Sequence, residues 1–229
     1  RRTGEIDGWI KAKESSPGSI SAVWATRNTR DAIWDAMAAR ETFVTSGTRI
    51  KVRFFGGADL GAASTNPREL VEQGYRNGVP MGGTIDKASK APTFTVWAAK
   101  DPNGANLDRI QIIKGMVDAK GEPNDKVIDV VWSGDRKPGK DGKLPPVGNT
   151  VDVTQATYAN TIGSAELMGT WTDPDFDPAK HALYYVRVLE IPTPRWTTFD
   201  AVRNKLERLP DVPSAIQERA WTSPIWYAP

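Results

Sequence analysis

Asp108-Arg109-Ile110-Gln111-Ile112 carries an apolar side chain at every second position once past Asp108, and Lys51-Val52-Arg53-Phe54 repeats the pattern. A period of two marks an extended strand with one buried and one wet face, because successive side chains leave a pleated strand on opposite sides. Working outward, residues 50–55, 93–99, 110–114, 127–132 and 183–191 are β-branched and aromatic runs bounded by Gly, Pro, Asn or Asp. The expected fold class is mainly β with some α: an antiparallel β-sandwich over residues 50–229, preceded by a separate helix–strand unit within residues 1–49. Alternation of this kind fits a sandwich better than a parallel sheet buried on both faces.

Helical spacing appears in three places. Asn28 or Thr29 is the expected N-cap of the first helix, with Asp31 in its first turn and Ile33, Trp34, Met37 and Ala38 on one face, ending near Arg40-Glu41. Residues 42–46 follow directly as a short β-rich run stopped by Gly47. A short helix is expected over residues 67–73, and a last one over 199–206, with Thr198 as cap and Phe199, Val202 and Leu206 on one face. The stretch through Ser15-Ser16-Pro17-Gly18-Ser19 reads as loop, and residues 134–150 as a solvated loop rich in Lys, Gly and Pro.

Composition narrows the chemistry. The 229 residues include no cysteine and one histidine, His181. A Cys/His zinc site, a thiol nucleophile and a multi-histidine metal centre are thereby excluded within this sequence. Carboxylate chemistry, an oxygen-ligated cation or binding without catalysis remain open. Lys plus Arg number 30 against 28 Asp plus Glu, a net charge of +2 with the basic residues scattered. That argues against nucleic acid as a partner. No apolar run approaches the length of a membrane span, so no membrane association is expected. The 39% of apolar residues suffice to close a core.

A resemblance emerges at Glu41-Thr42-Phe43-Val44-Thr45-Ser46-Gly47-Thr48-Arg49-Ile50, Gly78-Val79-Pro80-Met81-Gly82-Gly83, Lys100-Asp101-Pro102-Asn103-Gly104-Ala105-Asn106-Leu107-Asp108-Arg109-Ile110-Gln111 and Trp171-Thr172-Asp173-Pro174-Asp175-Phe176-Asp177-Pro178. It continues through residues 184–196 and 217–227. Together these segments resemble the C-terminal part of the DUF3604 family, itself similar to the PHP (polymerase and histidinol phosphatase) metallohydrolases and related to carbaryl-hydrolase-like proteins. The resemblance implies a β/α barrel holding a divalent metal centre (Zn, Mn or Fe), with a β-sandwich appended near the C-terminus. Residues 1–49 would then be the last helix and strand of that barrel, and a missing N-terminal barrel segment would be the partner. The implied activity is hydrolysis of a phosphate ester, carboxylic ester or carbamate, on a small-molecule substrate, in a periplasmic or secreted protein. The family's His-x-His and Asp-x-His motifs are absent, so no catalytic residue, metal ligand or cofactor site is carried over to this chain. The competing expectation is a non-catalytic sandwich module for carbohydrate or a partner subunit.

Thr45, Ser46, Thr48 and Arg49 are the leading substrate-binding candidates. At the end of a barrel strand they would stand on the face where such barrels keep their chemistry, with Arg49 clamping an anionic group and the hydroxyls donating to it. As a plain strand-to-strand corner, the same stretch would need Gly47 at positive φ. Residues 78–83 suit either a turn or a glycine-rich anion loop. Asp173, Asp175 and Asp177 alternate as calcium-loop carboxylates do, but Pro174 and Pro178 interrupt them and Tyr184 stands where a glutamate is needed. His181 is expected as a loop histidine, and Trp97, Trp132 and Trp171 as core fillers. Glu190, Arg195 and Trp196, flanking Pro192-Thr193-Pro194, are expected either to line a cleft or to form a buried ion pair.

Overall fold

A computed structural model describes residues 13–16, 18–60, 64–118 and 120–229; the first twelve residues of the expected 1–49 unit, and Pro17 of the expected loop, lie outside the described residues. In chain order the elements are β1 (Ile20–Val23), α1 (Arg30–Ala38), β2 (Thr42–Thr45), β3 (Lys51–Gly57), α2 (Pro67–Asn77), β4 (Val79–Pro80), β5 (Thr84–Asp86), β6 (Thr93–Ala99), β7 (Leu107–Val117), β8 (Pro123–Trp132), β9 (Glu166–Thr172), β10 (Ala182–Glu190), β11 (Thr193–Pro194), α3 (Trp196–Asn204), β12 (Ala215–Ile216), β13 (Arg219–Thr222) and β14 (Ile225–Ala228). The chain is mainly β, as the period-two pattern requires. No helix among the described residues is long and apolar enough to cross a membrane.

Two sheets enclose the main core. One has four strands in the order β4-β3-β6-β9, all antiparallel. The other has eight, with β10 at its centre: β7 then β8 on one edge, and β13 and β14 end to end on the other. The small sheet contributes Val52, Phe54, Phe94, Val96 and Ala98, and the large one Ile110, Ile112, Tyr184, Val186 and Val188, all fully buried in one cluster. The Phe94 and Tyr184 rings meet at 4.3 Å across the sandwich, and Trp171 lies 6.0 Å from Phe94. Alternation along β10 thus divides its residues between the core and the outer face.

The core also holds an ion pair. Lys114 Nζ lies 2.5 Å from Asp173 Oδ2, and the Tyr184 hydroxyl donates to the same carboxylate at 2.7 Å. Lys114 further donates to the Asp175 carbonyl at 2.9 Å. Asp175 pairs with Lys126 and Asp177 with Lys180. The alternating aspartates therefore do not form a calcium loop: each carboxylate has its own lysine, and Asp173 points inward.

Several expectations need correction in detail. Residues 20–23, to which no element was assigned, form β1 against β2. Thr29 caps α1 as expected, accepting from Ala32 N at 3.4 Å, yet the apolar stripe faces outward, with Trp34 68% and Met37 53% exposed while Ala36 is buried. The helix docks through its small side chain. The last helix begins earlier than expected, at Trp196 behind Arg195, and Thr198 is not its cap. Its hydroxyl donates to the Ser214 carbonyl at 2.7 Å instead, and Leu206 lies beyond the helix, past Lys205 in the left-handed region. Residues 42–45 pair antiparallel with both β1 and β13 inside the large sheet. Barrel strands have parallel neighbours, so these pairings give residues 42–45 the surroundings of a sandwich strand.

Lys114→Met, which strands the Asp173 carboxylate in the core, is expected to destabilise the fold by roughly 3–5 kcal/mol. Urea unfolding followed by tryptophan fluorescence measures it, and a loss below about 1 kcal/mol would contradict the buried-pair assignment.

Candidate functional site

The corner from β2 to β3 brings together most of the singled-out residues. Thr45 Oγ1 donates to the Thr48 carbonyl at 2.6 Å and accepts from Gly47 N at 3.2 Å, closing a hydroxyl-stabilised turn. Gly47 has φ 142°, the positive value that the corner requires. Ser46 Oγ donates to Glu218 Oε2 and accepts from Arg219 N at 2.9 Å, extending the β2–β13 pairing past the end of the strand. Both hydroxyls are thus committed to the fold. Arg49 is exposed, and its backbone N–H donates to Asp101 Oδ2 at 2.9 Å.

Beneath this corner lies Glu190, at the C-terminal end of β10. Its N–H donates to the Glu218 carbonyl and its own carbonyl accepts from Gln217 Nε2 at 2.8 Å, at the point where the β7–β10 register shifts. Only 1% of the residue is exposed, and neither carboxylate oxygen has a hydrogen-bond partner. Thr48 Oγ1 faces it without closing a bond of normal geometry and is itself unsatisfied. Burial pushes the Glu190 carboxyl from 4.5 up to about 8; the Thr48 hydroxyl opposes this, while Glu218 and Asp101 add repulsion and Lys100 attraction. Near neutrality Glu190 is therefore mostly an uncharged acid.

Asp101, in the same neighbourhood, is tuned the other way. Burial raises its carboxyl, but the backbone N–H groups of Asn103 and Arg49 outweigh that and hold it below the usual carboxylate range. Lys100 Nζ donates to the Gly104 carbonyl at 2.7 Å. The Tyr158 hydroxyl is raised by burial and then by the charges of Glu190 and Asp101. One acid kept neutral beside one kept ionised is an arrangement found at functional sites. The Glu190–Arg195 ion pair does not form. Arg195 donates instead to the carbonyls of Lys13 and Ser15 at 3.1 and 2.9 Å, and Trp196 Nε1 also reaches Ser15 O.

The other candidates disperse. Residues 78–83 pack rather than cradle an anion: a Cβ on Gly82 would meet the Arg40 carbonyl at 2.3 Å, Gly82 N donates to Pro224 O, and Gly83 N donates to Pro80 O. Trp171, partly buried, packs against the main core, Trp97 packs on a smaller cluster around Phe55, and Trp132 Nε1 donates to the Arg136 carbonyl. His181 is exposed on the far end of β10. Sequence reasoning missed Asp101, Tyr158 and Glu218. Asp101-Pro102-Asn103-Gly104 did carry an Asx-turn signature, but nothing local placed it against Glu190.

The Glu190 environment has a pH signature. Its folded value lies above its unfolded one, so its contribution is fully present below about pH 4.5 and is lost as pH rises through about 8. Glu190→Gln is expected to flatten the stability-versus-pH profile across that window, measured by chemical unfolding at a series of pH values. A parent and a variant with parallel profiles would refute the assignment.

No curated protein and no solved structure matches the chain. The model of the family described as "Protein of unknown function (DUF3604)" matches residues 2–229. On that full-length match, joined to a mainly antiparallel β architecture, the chain belongs to the DUF3604 family.

Proposed function

We propose that this chain is the β-sandwich portion of a PHP-like metal-dependent hydrolase acting on a phosphate ester, carboxylic ester or carbamate, in which it supplies scaffold and one rim of the substrate pocket. The observation that carries the reading is the division of labour at residues 45–49. Thr45 and Ser46 are spent on holding the turn, whereas the Arg49 guanidinium is exposed with no hydrogen-bond or ion-pair partner among the described residues. A planar, permanently charged fork on a rigid corner suits bidentate recognition of carboxylate or phosphate oxygens. Of the neighbouring carboxyls, ionised Asp101 offsets part of the Arg49 charge, whereas the neutral Glu190 adds none to repel an anion.

The divalent metal implied by the resemblance does not fit the residues present. Among the described residues no three His, Cys, Asp or Glu side chains converge to hold an ion. Asp101 is taken by two backbone amides and Glu218 by Ser46. The reading therefore draws the metal ligands from a barrel segment elsewhere in the protein, and no step of the reaction is assigned to residues of this chain.

In the full-length protein, Arg49→Ala is expected to lower kcat/KM for anionic substrates by about tenfold or more, through KM, with the unfolding midpoint unchanged. Steady-state kinetics on a panel of phosphate monoesters, carboxylic esters and carbamates tests this. Parent-like kinetics in the variant, or no hydrolysis by a metal-replete parent, would overturn the reading.

A further inference from the structure

We infer that the outer face of the large sheet carries a binding cleft for a neutral sugar ring, built around Trp226. Strand register sets its frame: Trp226 stands opposite Leu183, Leu183 opposite Gly115, and Gly115 opposite Asp125, one row across β14, β10, β7 and β8. Side chains in such a row leave the same face of a sheet. Here that face points away from the core, since the next residue along each of two strands, Tyr184 and Tyr227, is buried while Trp226 is 43% exposed. Trp226 and Asp125 are three strand spacings apart, about 14 Å. Between them Gly115 contributes no side chain, and a Cβ added there would meet Leu183 at 3.0 Å. The result is a depression of about 540 Å³ with His181 and Asn124 on its margin.

The polar groups around this depression are unused. Asn124, Asp125 and His181 make no side-chain hydrogen bond or ion pair among the described residues, although Asp175 and Asp177, close by, are each matched to a lysine. An exposed indole over an aliphatic floor, rimmed by a free carboxylate and imidazole, asks for a ligand with an apolar face and a hydrogen-bonding edge. A pyranose has both, its C–H face stacking on the indole and its hydroxyls donating to Asp125 and bonding to the His181 ring nitrogens. The unmatched Asp125 carboxylate sets the sign, disfavouring uronic acids and sulfated or sialylated sugars. This site is independent of the Arg49 corner and of the hydrolase reading.

The test is a glycan array of neutral and acidic oligosaccharides probed with the full-length protein, followed by calorimetric titration of the best-retained glycan. Retention confined to neutral members is expected, with affinity reduced about tenfold or more in Trp226→Ala and reduced also in Asp125→Ala, whose exposed position leaves the fold intact should the tryptophan variant prove unstable. An array without a binder, a preference for acidic glycans, or an affinity untouched by Trp226→Ala would overturn the inference.

Discussion

Residues 182–190 are hydrogen-bonded along both edges, and the two halves of the large sheet meet only through them. The strand satisfies the backbone demand of β7 on one side and of two separate strands on the other, while its inward residues Tyr184, Val186 and Val188 fill the middle of the core. Where β13 gives way to β14 at Ser223-Pro224, the ladder lacks a partner for Val186 N, and the Thr222 hydroxyl accepts that N–H at 2.9 Å. Both regions of functional interest hang from the same strand. Glu190 marks its C-terminal end, and His181 stands just before its N-terminal end.

The two ends differ electrostatically. At the C-terminal end, two backbone amides hold the Asp101 carboxyl below the usual range, whereas burial keeps the Glu190 carboxyl protonated near neutrality. At the N-terminal end, buried Asp173 is matched by Lys114, and the surface carboxylates Asp175 and Asp177 by Lys126 and Lys180. The strand therefore separates a desolvated acid from a solvated, partly apolar face by the length of a single element.

The strands rich in β-branched and aromatic residues were legible: β3, β6, β7, β8 and β10 fall within a few residues of their apolar runs. The elements that escaped are short, such as β11 and β12 at two residues each, or owe their existence to distant partners, as β1 does to β2. Trp34 and Met37 kept helical spacing without being buried, because periodicity reports a face and not what covers it. At the site, Thr45, Ser46, Thr48, Arg49 and Glu190 could be singled out one by one. Their meeting could not, since Ser46 and Glu218 lie 172 positions apart and depend on the β2–β13 pairing. Trp226 was hidden among nine tryptophans, and the register that puts it in one row with Leu183, Gly115 and Asp125 is a tertiary property.

The pairing of β2 with β13 also bears on how the chain comes off the ribosome. Thr45 faces Ala220 across the sheet, so one edge of β2 waits until nearly all of this segment has been synthesised. Domains emerge from the ribosome N-terminus first, and unpaired strand edges invite association in the interval. Contacts this distant in sequence also slow folding, because the loop must close before the bond forms. Val44, exposed on β2 in the finished sheet, is exposed on that waiting edge as well. The seam that completes the sandwich is thus the step of biosynthesis at which this protein is most in need of protection from other nascent chains.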